Sequence, residues 1–318
     1  MAGGEAAKSS GEFGEKIAKK LLELIGWGIS QKGLSIECME GEEHINGKNP
    51  RVKHGIDYFF SYECPLTSNT LEEVVVSVKH NKDGYPKSPS STFKSHLKDI
   101  THTIECFEYD DNHRNTNFNP NITKSNLTGV IFWFSNNPIE KNKGIIEEVY
   151  NFNNTEELQY GPIYLVDNKK AAFLVNSITY ANNRYKDKEV NFVYPSTGYN
   201  DANAFSKVTR GKILPVQYIN SSILPLRVDE GGKGGTLLLF VNEEFSEEGL
   251  KRLIGLIGYL TSTWAYKTII LFPDYNELRH NNIVTKVTQI FKDQSFIGNL
   301  SVTSFLQDLQ SLGEEENE

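Results

Sequence analysis

The chain has 318 residues, 38% of them hydrophobic and 11% aromatic, a composition that supports a packed core and excludes a disordered chain. Its length exceeds that of most single domains, so two domains of unequal size are expected. The formal net charge of -8 excludes a protein coated in positive charge but leaves room for a local basic cleft, because phosphate affinity depends on where Lys and Arg lie.

Residues 10–26 carry Phe13, Ile17, Leu21, Leu22 and Ile25 at helical spacing, with Gly26 placed to stop the helix. Ser9-Ser10-Gly11-Glu12 has the form of a capping box at its start. Residues 34–38, 54–63 and 73–80 are β-branched or aromatic runs separated by turn formers, and they predict three strands. Residues 90–109 return to helical spacing through Phe93, Leu97, Ile100, Ile104 and Phe107, and the apolar run 129–134 predicts a buried strand. A further strand at 161–166 and a helix at 171–180 follow. Periodicity then fades as far as Gly211, which places a domain boundary near residue 205 and divides the chain into 1–205 and 206–318.

In the second part, residues 236–241, 268–272 and 300–305 read as strands and 246–261 and 282–291 as helices, a small parallel βαβαβ unit. The glycine-rich run 231–235 precedes a strand instead of opening a helix, so it reads as a linker and not as a phosphate loop. Asn242-Glu243-Glu244-Phe245 puts acids where a nucleotide would need donors, and the unit is expected to be a protein-interaction or dimerisation surface. Glu314, Glu315, Glu316 and Glu318 form a solvated acidic tail.

Cys38, Cys64 and Cys106 stand far apart with no CxxC pair, which predicts neither a disulfide framework nor a zinc site and fits a reducing compartment. The first ten residues lack an apolar core, and no stretch approaches the roughly 20 apolar residues that span a bilayer, so a cytoplasmic protein with no membrane partner is expected.

Along residues 73–80, Val75, Ser77 and Lys79 share one face of a strand, and Val74, Val76, Val78 and His80 the other. Antiparallel pairing through the turn at 64–70 would bring Asp57 to the same end of the sheet as Lys79. Phosphodiester hydrolysis needs carboxylates to hold a divalent cation and a further positive group to orient water or balance charge. Asp57 and Lys79 supply one of each.

Taken in order over residues 10–135, Gly11-Glu12-Phe13-Gly14-Glu15 with Leu21-Leu22 and Gly26-Trp27, then Gly55-Ile56-Asp57, then Ser77-Val78-Lys79, resemble the Mrr-like, restriction-endonuclease-like branch of the PD-(D/E)xK nuclease superfamily. The resemblance implies an α/β fold, a restriction-endonuclease-like mixed-sheet domain followed here by the smaller βαβαβ unit. It implies Mg²⁺ as cofactor, with Mn²⁺ as a substitute, DNA as substrate, and a place in bacterial restriction or antiphage defence. Partners of that kind would be a second copy of the chain or another defence-system protein.

On this resemblance Asp57 is a metal ligand, Lys79 is catalytic, and Glu15 belongs to the metal site or its water shell. Ser77 departs from the pattern, because it stands where the family has its second carboxylate. Some related enzymes supply that acid from the following helix, which makes Asp99 the candidate ligand, with Glu105 further along. A plain alternative for Glu15 is a helical ion pair with Lys19. Lys82, Lys87, Lys94 and Lys98, together with His80 and His96, form a candidate DNA-backbone patch whose alternative is a solvated helix face. His54 and His80 otherwise read as surface histidines. Two functions remain open: a Mg²⁺-dependent DNA endonuclease, or a catalytically inactive DNA- or DNA-end-binding subunit that acts through a partner protein.

Overall fold

The computed structural model describes residues 2–46, 48–110, 120–136, 144–150, 161–201, 207–231, 234–261, 264–291 and 297–306. The acidic tail lies outside them. The first apolar stripe folds as α1 (Ala2–Leu24), which begins upstream of Ser9, so the apparent capping box lies inside the helix instead of starting it. Gly26, at φ 83°, ends it: the Gly26 N–H donates to the Glu23 carbonyl at 3.2 Å and the Trp27 N–H to the Leu22 carbonyl at 2.7 Å. This left-handed cap favours glycine, which has no Cβ to clash. It delivers Trp27 fully buried into the core, stacked on Phe60 at 5.6 Å and Tyr62 at 6.5 Å. The indole N–H donates to the Leu214 carbonyl at 2.9 Å.

Three antiparallel strands follow, β1 (Gln31–Glu37), β4 (Lys53–Glu63) and β5 (Thr70–Asn81), with the two-residue strands β2 (Ile45–Asn46) and β3 (Asn49–Pro50) paired in the loop between β1 and β4. Helix α2 (Pro89–Phe107) then carries the chain to β6 (Lys124–Ser135), which runs parallel to β5 from Thr70↔Lys124 to Asn81↔Ser135. After α3 (Ile146–Val149), β7 (Ile163–Val166) adds a second parallel pairing, and the five-stranded sheet has the order β1-β4-β5-β6-β7.

One core is shared by α2 and the sheet: Ile100, Ile104 and Phe107 pack with Phe59, Val75, Ile131 and Trp133. Helix α1 supplies buried Ala18, Leu21 and Leu22, and Ile25 just after it is buried too. It also lies against the end of β5, where a Cβ on Gly14 would stand 2.6 Å from His80 Cβ, so glycine permits the approach that brings the neighbouring Glu15 toward the sheet. Ile56 and Phe59 join the same cluster although an odd number of residues apart. The strict two-residue alternation is therefore interrupted at Asp57 and Tyr58.

Backbone contacts divide the chain into Met1–Ala172 with Leu214–Asn220, and Phe173–Ile213 with Ser221–Glu318, the first division falling inside α4 (Asn168–Arg184). The sequence places the boundary near residue 205 instead. The difference arises because β8 (Glu189–Val193), in the stretch where periodicity fades, pairs with β10 (Ile223–Asp229). The second unit is larger than βαβαβ: β11 (Gly235–Val241), α5 (Glu247–Thr261), β12 (Ala265–Phe272), α6 (Glu277–Thr288) and β13 (Leu300–Ser304) form the parallel part. Strands β10, β8 and β9 (Arg210–Gly211) extend it antiparallel, giving the order β13-β12-β11-β10-β8-β9. The glycine-rich run, expected as a linker, lies between two paired strands, since Gly235 already pairs with Asp229 of β10; its residues 232 and 233 are outside the described residues. No described helix is long and apolar enough to cross a membrane.

Trp27→Ala removes a fully buried side chain and its hydrogen bond, and is expected to cost about 3–5 kcal/mol. The check is the midpoint of the first unit's urea transition, followed by circular dichroism; an unchanged midpoint contradicts this account of the α1 junction.

Candidate active site

Asp57 lies one residue beyond the backbone pair Tyr58↔Val76, and its Oδ2 accepts the Val78 N–H at 2.6 Å. The side chain thus bridges β4 and β5 just beyond the end of their ladder, at the residue before its expected neighbour Lys79. The Lys79 ammonium donates to Asp99 Oδ2 at 3.0 Å, and Arg51 Nη1 donates to Asp99 Oδ1 at 2.8 Å. An acid from the helix after the lysine strand therefore stands at the lysine, while the β5 position two residues earlier holds the uncharged, half-buried Ser77.

The two aspartates are pushed in opposite directions. Burial raises the Asp57 carboxyl above its ordinary value, the charges of Glu15 and Asp99 add to the rise, and the Val78 N–H and Lys79 only partly offset it. Burial also works against ionised Asp99, but Lys79 and the hydrogen bonds from Arg51 and Lys79 outweigh it and hold that carboxyl below its ordinary value. Glu15 is near enough to act on Asp57, yet its Oε2 is held by Lys32 Nζ at 2.8 Å. Lys19 pairs with Glu23 at 3.8 Å and not with Glu15.

Comparison with protein families matches residues 1–170 to the GAPS4 protein PD-(D/E)XK nuclease domain, a family of antiphage defence. The chain belongs to that family. No curated protein and no solved structure matches it. The elements that carry Glu15, Asp57, Ser77, Lys79 and Asp99 all fall inside the matched segment.

Within the GAPS4 nuclease domain the basic residues separate into kinds. Lys82 and Lys87 are exposed on the loop from β5 to α2, whereas Lys94 and Lys98 are half-buried on α2. His96 does not belong with them: its ring meets Trp133 edge-on at 5.0 Å, and burial, with Lys79 adding, pushes its pKa down to about 4. His54 and His80 are not surface histidines. His80 packs on Phe13 at 5.4 Å, and His54 is 1% exposed.

Glu105 lies away from Asp57 in its contacts, with Oε2 2.9 Å from His44 Nε2. His44 in turn belongs to a group the sequence reading missed: Cys38, His44, His54 and Cys106 place one donor atom each within 4.8 Å of one another. Cys38 and Cys106, far apart in sequence and without a CxxC pair, are brought together where β1, β4 and α2 converge, while Cys64 is not part of the group. Neither CxxC spacing nor local sequence signals it. Only the alignment of strand ends with the last turn of α2 would have.

The opposite shifts give a paired test without added Mg²⁺ or Mn²⁺. Asp57→Asn is expected to raise the melting temperature at neutral pH, because wild-type stability falls as pH rises through the raised Asp57 pKa, and the gain fades toward pH 3.8, the ordinary carboxyl value. Asp99→Asn is expected to lower it at neutral pH, a loss that shrinks as pH falls through the depressed Asp99 pKa. Shifts of the same sign in both variants would contradict the assignment.

Proposed function

We propose that this GAPS4 nuclease domain is a divalent-metal-dependent DNA endonuclease acting in antiphage defence, with Mg²⁺ as the ion and Mn²⁺ as a substitute. The observation that carries the reading is Asp99 standing at Lys79, beside Asp57 on the neighbouring strand. The donor set fits such an ion: carboxylate oxygens are hard ligands, and Asp57, whose carboxyl pKa is raised by burial first and by the charges of Glu15 and Asp99 after it, is a group that a cation would relieve. Asp57 and Asp99 would hold it, with Glu15 in its water shell. When bound, a divalent ion polarises the scissile phosphate and makes water a stronger acid.

The chain's own groups do the rest. Lys79 presents a positive charge beside the phosphate and hydrogen-bonds the attacking water or the charge that develops on phosphate oxygen. Asp57 is fixed by the Val78 N–H, so its other oxygen keeps a constant direction. Arg51 keeps Asp99 ionised and in place when Lys79 turns to the substrate. Lys82 and Lys87, exposed on the next loop, would contact the DNA backbone, and binding would weaken with salt.

A second reading follows from Ser77 and from the two cations that occupy both Asp99 oxygens: a nuclease-like subunit that binds DNA without cutting it. Cleavage of supercoiled plasmid separates the two. On the catalytic reading, wild type cuts with Mg²⁺ or Mn²⁺, Asp57→Ala abolishes cutting, and Lys79→Ala slows it by about 10²–10³-fold. A wild type that binds DNA but never cuts, with metal binding appearing only in Ser77→Glu, supports the second.

A further inference from the structure

We propose that Cys38, His44, His54 and Cys106 form a structural zinc site, separate from the nuclease carboxylates. The two thiol sulfurs are 3.9 Å apart, and His44 Nδ1 lies 3.5 Å from Cys38 Sγ and 3.4 Å from Cys106 Sγ. With Zn–S near 2.3 Å and Zn–N near 2.0–2.1 Å, tetrahedral geometry separates sulfur from sulfur by roughly 3.8 Å and sulfur from nitrogen by roughly 3.5 Å. The observed spacings match both. They are far too long for a disulfide, whose sulfurs sit about 2.05 Å apart.

An independent feature points to a ligand at the same place. His54 is 1% exposed, and its Nε2 is buried with no hydrogen-bond partner among the described residues. An unpaired ring nitrogen in the interior costs free energy unless something binds it. Zinc supplies that partner, and of the four donors His54 is the one the metal-free geometry leaves unsatisfied.

The surroundings of His44 and Cys106 hold those donors in the form zinc requires. His44 must carry its proton on Nε2 to offer Nδ1, and the Glu105 carboxylate 2.9 Å from Nε2 accepts the hydrogen bond from it. For Nε2 to bind zinc, His54 must carry its proton on Nδ1 and donate it to the Thr103 hydroxyl oxygen at 3.4 Å; the Arg51 Nη1 donor 3.0 Å from Nδ1 serves the opposite tautomer and would turn to Asp99 Oδ1 alone when the metal binds. Cys106 receives the Met39 N–H at 3.3 Å, and the Glu40 N–H is a second donor to it, the pattern that stabilises a metal-bound thiolate. Soft sulfur and imidazole donors select zinc over the Mg²⁺ suited to the carboxylates.

The site has a structural consequence. Cys38 directly follows β1, His44 lies in the loop after it, His54 is the second residue of β4 and Cys106 sits in the last turn of α2. Zinc would pin the loop that carries Arg51 against α2, and so preset the Arg51–Asp99 pair. The proposal stands independently of whether the domain cuts DNA.

The test is metal content of the full chain, purified with zinc and dialysed, measured by mass spectrometry. Wild type is expected to hold one zinc per chain, and the Co²⁺-loaded protein to show the intense visible bands of a tetrahedral thiolate site. Cys106→Ser and His54→Ala should lose the metal, while Cys64→Ser, whose thiol lies outside the cluster, keeps it. Wild type without zinc, or a weak octahedral Co²⁺ spectrum, overturns the proposal without reference to any variant. So does zinc that survives Cys106→Ser but is lost in His102→Ala, which would place it instead on the neighbouring group His44, His102 and Glu105.

Discussion

A half-buried carboxylate shared by two cations organises the first unit. Asp99 on α2 accepts from Lys79 on β5 through one oxygen and from Arg51, just before β4, through the other. Taking a carboxylate partly out of water is unfavourable unless both oxygens are satisfied. The pairing therefore ties the crossover helix to the central strand and to the loop after β1 at a single point. A displacement of any of the three would leave a charge unpaired, which makes the position of α2 over the sheet a matter of electrostatics as well as of the Ile100, Ile104 and Phe107 packing.

The same arrangement divides labour between two acids. Asp99 is kept ionised by its cations, and Asp57 is pressed toward its neutral form by burial and by Glu15 and Asp99. Neighbouring groups driven apart in this way are characteristic of sites that do chemistry, although ion-pair networks alone can produce them. Here the coincidence with the matched PD-(D/E)XK nuclease domain gives the electrostatics a functional setting. The unfavourable burial of the Asp57 charge sits where the alternation of β4 is interrupted.

Much of this was legible in sequence because period and punctuation are local. The stripe Phe13 to Ile25 with Gly26, the strand runs, and the return to helical spacing at Phe93 all describe elements whose burial pattern repeats within a few residues. Asp57 and Lys79 could be brought together because one antiparallel turn relates them. Ser77 showed that the second acid is either supplied from elsewhere or lost, and the chain order of strand then helix made Asp99 a candidate, which the structure pairs with Lys79. What was not legible depends on distant convergence. His44 and Cys106 are 62 residues apart, and nothing local to either announces the other. His96 looked like part of a basic patch, but its face of α2 turns toward Trp133. Strand β10 was hidden by Pro225, which normally argues against a strand yet pairs here with Leu239, and by Arg227, buried beneath its contact with the Trp264 ring.

The central claim is that Asp57 and Asp99 together form the ion-holding site beside Lys79. Mn²⁺ binding to the zinc-loaded full chain, measured by calorimetry in wild type, Asp57→Asn and Asp99→Asn, addresses it without requiring turnover. The account predicts one Mn²⁺ site in wild type that each substitution removes. Equal Mn²⁺ binding in all three proteins would contradict it.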